Sequence, residues 1–337
     1  MSSKIGILDF IPRDKYTSDF EAFQNTIKLA QHADELGLQR YWVAEHHNTP
    51  SILGNSPLIL MARLASITKE IKVGAGGVML DNTSPYQLAE NMKTFSAILP
   101  GRIEMGVGHS TPTELEAQDE LGLNIRHNLD YEAELRQLVA YSDANFALNG
   151  QRNASPIAMP VIHEDSMPLY LLSASAKRAQ FCGEMGLGFN FGLFLNNNLD
   201  EAKQAIQIYR DYFRPSIFLS QPEATLSLFA VSAYNEDLIP ILEHALDYWL
   251  MAFLTDKRSV YSLLSPDDAA DYPFSKEEQA FVADFTYRKV VGDPLTIEKQ
   301  LKALMTETKC DNFLIGNMLS TLPARRNLLE ILAQIKL

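Results

Sequence analysis

A short apolar run followed by a capped amphipathic segment recurs along this chain, and that alternation limits its fold more than any other property. Residues 5–10 read as a strand, after which Ser18-Asp19-Phe20-Glu21 forms a capping box. Phe20, Phe23, Ile27 and Ala30 then recur at helical spacing until Gly37 supplies a stop. Residues 41–44 are a second strand, and Ser56-Pro57 opens a helix running towards Thr68. Residues 71–80 are a third strand, rich in glycine. Ser84-Pro85-Tyr86-Gln87 is another capping box with proline at the first helical position, and its helix ends at Pro100-Gly101. Residues 103–107 are a fourth strand. Strand and helix pairs follow at 169–172 and 176–185, at 189–195 and 199–213, and at 226–232 and 237–250. A helix at 294–306, a strand at 312–315 and a helix at 323–335 complete the series. About eight such units predict an α/β fold, a closed (β/α)8 TIM barrel, as a single domain over 1–337.

Two stretches break the short-loop rhythm. Residues 110–167 carry Glu114, Glu116, Asp119 and Glu120, a helix at 128–143 and a proline-rich tail; residues 252–290 are polar and acidic. In a barrel of this kind, long insertions after strands lie over the catalytic face, so both read as lid or wall elements. The 337 residues carry 29 basic and 42 acidic side chains, a net charge of −13, which disfavours nucleic acid and a membrane surface as partners. Cys182 and Cys310 cannot build a disulfide framework, and the N-terminus lacks a secretory pattern. No run of 18 apolar residues is found, so no transmembrane helix is expected, and the expected location is the cytoplasm.

Chemistry in such barrels gathers at the C-terminal ends of the strands. There the chain places Glu45-His46-His47-Asn48, Gly74-Ala75-Gly76-Gly77, Gly106-Val107-Gly108-His109 and Ser173-Ala174-Ser175. Adjacent strand residues face opposite ways, so His46 and His47 do not converge as metal ligands, and neither an HExxH motif nor a His-x-His pair is found. No metal is expected. One histidine acting as general acid/base is the more economical reading, beside a purely structural one. Three glycines in four residues imply close approach to the backbone, either by a flat aromatic ligand or by tight barrel packing. Ser175 is an N-cap candidate, and Lys177-Arg178 in the next turn oppose the helix dipole unless an anion binds there.

Trp42 to Asn48, Val73 to Leu80, Ser84-Pro85 and Pro100 to Ile103 together resemble the bacterial luciferase-like flavin monooxygenases, in their single-chain oxidoreductase branch. The resemblance resumes at 168–187 and at Val291-Gly292-Asp293-Pro294, and is weakest in the two insertions. It implies a barrel that is a homodimer and binds reduced FMN delivered by a separate flavin reductase. Dioxygen and a small organic substrate, aldehyde-like, would then react. His46 would be the catalytic histidine, and Glu45 beside it a second catalytic residue. A non-proline cis peptide under the flavin would fall at Gly76-Gly77, with Ala75 adjoining. Ser173, Ser175 and Arg178 would hold the phosphate. The chain has His109 where the family carries an arginine on that phosphate, and Asp81 where a proline is common. The resemblance leaves two alternatives open: hydride transfer with a flavin or deazaflavin, and a flavin-binding protein without catalysis.

Overall fold

The computed structural model describes residues 4–109, 130–143, 156–160, 167–256 and 259–337, with Ala117, Glu120 and Leu121. The acidic cluster expected within 110–120 and the proline-rich tail lie mostly outside the described residues.

The strands are β1 (Ile5–Asp9), β2 (Arg40–Val43), β3 (Lys72–Met79), β4 (Ile103–Gly108) and β5 (Leu169–Ser173). They continue as β6 (Gly188–Gly192), β7 (Ala224–Val231), β8 (Lys289–Val291) and β9 (Asn312–Gly316). Every pairing is parallel. Neighbours in sequence pair from β1 through β7, β7 pairs with β9, and β9 returns to β1 with Ile5 opposite Phe313. Eight strands therefore close a (β/α)8 barrel. The ninth, β8, is an addition that pairs with the last three residues of β7.

The helices around the wall are α1 (Asp19–Glu35), α2 (Pro57–Ile67), α3 (Pro85–Ile98), α4 (Tyr131–Ser142), α5 (Ala179–Glu184) and α6 (Leu199–Tyr212). After them come α7 (Ile239–Thr255), α8 (Pro266–Asp271), α9 (Lys276–Val282), α10 (Pro294–Thr308) and α11 (Leu322–Gln334). The capping box of Ser18 and Glu21 forms in both directions. At α3 only half of the expected box forms: Ser84 accepts the Gln87 N–H, and no reciprocal bond closes it. Asp34 ties the C-terminal end of α1 to the entry of β3 by accepting the N–H groups of Lys69, Glu70 and Ile71 at 2.6–2.9 Å. Together with the preceding turn of Glu236–Leu238, α7 is long and apolar enough to cross a membrane, but Leu242, Leu246, Trp249 and Leu250 are buried in the fold.

Polar and aromatic side chains fill the N-terminal half of the barrel interior. Arg40 of β2 pairs with Glu104 of β4 at 3.1 Å and with Glu223 at 2.7 Å, and its guanidinium lies over the rings of Trp42 and Tyr170. Trp42 Nε1 donates to Glu104 at 2.8 Å. Burial pushes the Glu104 carboxyl up, against the opposing pull of Arg40. A Cβ on Gly74 would stand 2.5 Å from Trp42 Nε1, so glycine there is the notch that seats the indole. This plug leaves the opposite end, the C-terminal mouth, as the place for a site.

Within 252–290, expected as a lid or wall element, the described residues form two short helices, α8 and α9. Leu263 N–H bonds Arg13 O at 2.7 Å, Lys15 pairs with Asp268 at 2.7 Å, and His244 of α7 stacks on Phe274 at 4.2 Å. The helices α8 and α9 and the strand β8 were not anticipated, although Ser275-Lys276-Glu277-Glu278 carries a capping box that forms. The helix expected at 176–185 is instead a 3-10 turn, Ala176–Arg178, followed by the six-residue α5.

Candidate active site

At the exit of β2 the chain leaves extended geometry after Val43, and Asn48 takes a left-handed φ of 49°. The turn sends three consecutive polar side chains in different directions. Glu45 is buried and its carboxylate is saturated: Oε2 accepts the Met79 N–H at 2.9 Å, while Oε1 accepts Asn82 Nδ2 at 2.8 Å and faces His47 Nε2 at 3.0 Å. Glu45 thereby clamps the end of β2 to the end of β3. His47 is committed to that clamp.

His46 turns the other way. Its ring stacks on Phe10 with centroids 5.5 Å apart and meets Phe253 edge-on at 5.4 Å. Phe10 continues the contact to Phe194, Phe229 and Trp249, and Trp249 stacks on Phe253 at 4.9 Å. Trp249 and Phe253 are four apart on α7 and so share a face, and the indole N–H is satisfied by Ser51 Oγ at 3.0 Å. Phe10, Phe229 and Trp249 are buried; His46, Phe194 and Phe253 are partly exposed. The arrangement is a half-open imidazole on an aromatic wall. Sequence reading missed this wall, because β1, β6, β7 and α7 or their exits each contribute to it from distant positions.

Beside the exit of β2, Ala75 of β3 stands in register with Val43, and the Gly76–Gly77 peptide that follows is cis, at the position expected. Protein neighbours account for both glycines. A Cβ on Gly76 would meet Leu8 at 2.7 Å, and one on Gly77 would meet the Gly106 carbonyl at 2.8 Å. Of the two readings of this strand, tight barrel packing therefore suffices.

A second group of residues gathers at the exits of β3, β4 and β5. His109 Nδ1 lies 3.0 Å from Asp81 Oδ1, and its ring meets Tyr131 edge-on at 5.0 Å. The Arg178 guanidinium lies over the Tyr131 ring at 4.2 Å, and no carboxylate pairs with it among the described residues. Tyr131 is 4% exposed and its hydroxyl has no hydrogen-bond partner among the described residues. Burial pushes that hydroxyl well above its usual range, more than Arg178 draws it down. The two unexpected residues, His109 and Asp81, are thus partners of each other.

The loop after β5 corrects part of the expected anion seat. Ser175 makes no side-chain cap, and its N–H bonds Ser173 Oγ at 3.2 Å. Glu201 Oε1 already accepts the Ala176 N–H at 3.1 Å. With only a 3-10 turn and a short helix behind it, the dipole there is too small to make Lys177 and Arg178 costly; Arg178 is accounted for by the Tyr131 ring. The residues that remain suited to a phosphate are Arg178, His109 and the Ser175 hydroxyl, with the unpartnered Tyr131 hydroxyl behind them. Among the described residues no cluster of His, Cys, Asp and Glu is arranged to hold a metal ion.

The profile of the luciferase-like monooxygenase family matches residues 3–311. The chain is 30% identical over 297 residues to the uncharacterised protein YceB of Bacillus subtilis, covering 88% of each. It is 29% identical over 334 residues to a luciferase-like monooxygenase of Escherichia coli K12, covering 98% of this chain and 96% of that one. Among solved structures, apo-MsnO8 superposes with a TM-score of 0.87 at 26% identity, covering 99% and 97% of the two chains. Two more distant structures share the fold. The oxygenating constituent of 3,6-diketocamphane monooxygenase of Pseudomonas putida, in complex with FMN, has a TM-score of 0.68 at 18% identity over 99% and 98% of the chains. An F420-dependent secondary alcohol dehydrogenase has 0.63 at 16% over 100% and 98%.

Proposed function

Since the chain belongs to the luciferase-like monooxygenase family, we propose that it is a monooxygenase that uses reduced FMN and dioxygen to oxidise a small, aldehyde-like organic substrate. The observation that carries this reading is His46, held at the exit of β2 against an aromatic wall, with the cis Gly76–Gly77 peptide on the neighbouring strand β3.

The residues present fit a flavin phosphate in part. Among the described residues Arg178 has no carboxylate to neutralise it and the Tyr131 hydroxyl lacks a partner, and His109 and the Ser175 hydroxyl adjoin the same strand exits. Arg178 would hold the phosphate, with His109 assisting when protonated. When bound, the reduced flavin supplies the two electrons that let one oxygen atom enter the substrate and the other leave as water.

The chain's own work is positional and acid–base. His46 gives or takes a proton at a ring nitrogen near the reacting atoms, and Phe10 and Phe253 limit the water around it. Glu45 is a positioning residue. By joining Met79 and Asn82 to the end of β2, it fixes the turn that carries His46 to the end of β3. A separate flavin reductase would supply the reduced cofactor in the cytoplasm. A second copy of the chain would cover the apolar outer surface of α2 and α3, where Ile59 and Ile98 are 72% and 63% exposed.

Anaerobic titration with reduced FMN, then exposure to labelled dioxygen and a medium-chain aldehyde, tests the reading. It requires saturable FMN binding and label in the product. Binding of a reduced deazaflavin instead, with hydride transfer and no label, would replace it by the dehydrogenase alternative. Flavin binding without turnover of any kind would leave the non-catalytic one.

A further inference from the structure

A cavity of about 500 Å³ lies at the rim of the barrel. Its walls come from three places: the β1–α1 loop and α1 (Asp14 to Lys28), the end of the β9–α11 loop with the start of α11 (Ser320 to Pro323), and Leu264 and Ser265 of the second insertion. None of these residues belongs to the aromatic wall around His46. The volume is within the range of small-molecule sites.

Three features of the walls point to an occupant. Ser320 is 2% exposed and its hydroxyl has no hydrogen-bond partner among the described residues, a rare condition for a buried hydroxyl. Asp14 Oδ1, in another wall residue, is likewise buried and unpartnered. At the opening, Tyr16 and Phe20 are 77% and 72% exposed, an amount of aromatic surface that water solvates poorly. Next to Ser320, Thr321 holds a φ of 134°, which a β-branched residue rarely adopts, and this keeps the Ser320–Thr321 segment against the cavity.

The charges decide the kind of ligand. The lining carries two cations, Lys15 and Lys28, and two carboxylates, Asp14 and Glu21, so its charges balance. Asp14 is neutralised by Arg325, Lys15 by Asp268, and Glu21 is engaged by Ser18. A charged ligand would leave one charge uncompensated in a partly buried space, whereas a neutral one would not. We propose that this cavity is a second small-molecule site, for an uncharged aromatic compound carrying one hydroxyl or amide. The ring packs between Tyr16 and Phe20, and the polar group meets the Ser320 hydroxyl once that side chain turns about χ1. Because Leu264 and Ser265 form part of the wall, the ligand also ties the second insertion to the barrel. The proposal does not rest on the flavin reading.

Benzyl alcohol, benzylamine and benzoate are the probes, with the full chain and saturation-transfer NMR as the readout. Benzyl alcohol should bind saturably near about 1 mM, at least roughly tenfold more tightly than either charged analogue. Ser320→Ala should weaken it about threefold or more, and Phe20→Ala, at an exposed position that leaves folding intact, about fivefold. Hydrogen exchange at 259–265 should slow when the alcohol is present. Three probes of equal affinity, the absence of saturation, or affinity unchanged in both variants would each overturn the proposal. So would a soaked crystal with only water at Ser320.

Discussion

Glu45 keeps the Met79 and Asn82 donors that join the ends of β2 and β3, so replacing His46 removes the imidazole without dismantling the strand ends. His46→Ala should leave flavin affinity within a few-fold and lower turnover by ~10²-fold or more, measured by steady-state kinetics beside flavin titration. Full turnover in that variant would remove the acid–base role. Arg178 makes a different demand. Arg178→Ala should cost about 1–3 kcal/mol in FMN binding and much less with riboflavin, which lacks the phosphate. Equal losses with the two ligands would show that the guanidinium only covers Tyr131. His46 and Arg178 were visible in the sequence because each follows a strand. The Glu45 clamp was not, since its partners Met79 and Asn82 lie more than thirty residues away and two of its three bonds go to groups that carry no motif. The Tyr131 partnership with Arg178 was hidden in the same way by the length of the first insertion.

Among the elements, α1 and β3 meet at a single side chain whose charge state can be followed. Burial opposes ionisation of Asp34, but the N–H groups of Lys69, Ile71 and Glu70 together outweigh it and hold the carboxyl below its usual range. A lowered carboxyl contributes stability that is present above the unfolded-state value of about 3.9 and is lost as pH falls through the folded-state value. Asp34→Ala should therefore cost about 1–2 kcal/mol at pH 7, trimmed by partial exposure, and the gap to the parent should narrow below about pH 4 in denaturant titrations. A gap that is constant with pH would mean that the carboxylate charge is irrelevant there. Element reading from sequence worked best where caps and periodicity agreed, as at Ser18–Glu21 with α1. It failed at Ser175, which makes no side-chain cap: Glu201 from a distant helix takes the Ala176 N–H, and the segment opens as a 3-10 turn before α5. It also passed over α9, whose cap was legible but whose apolar positions are too few to signal a helix.

For the whole molecule, the exposed faces of α2 and α3 bear on assembly. If a second copy covers them, Ile59→Asp with Ile98→Asp should convert a dimer of twice 37.8 kDa into a monomer without loss of the barrel's circular dichroism. A monomeric parent by light scattering at micromolar concentration would dismiss the dimer. The barrel itself was readable from the count of strand and helix units, since eight parallel strands have few other ways to cover both faces. The ninth strand was not, because three residues pairing only with the end of β7 leave too little pattern.

The closure of the barrel by β9 on β1 sets a timetable for its birth. One edge of β1 is covered by β2 early, but the other has no partner until Asn312–Gly316 exist, about 300 residues later. At roughly 5–20 residues per second, the ribosome leaves that edge open for about 15–60 s. The same late segment also covers β7, so one short stretch removes two sticky edges at once. A nascent chain arrested before Asn312 should accordingly be held by chaperones or aggregate, whereas one arrested after α11 has emerged should resist protease. Equal solubility of the two would mean that the open edges are guarded by something other than their final partner.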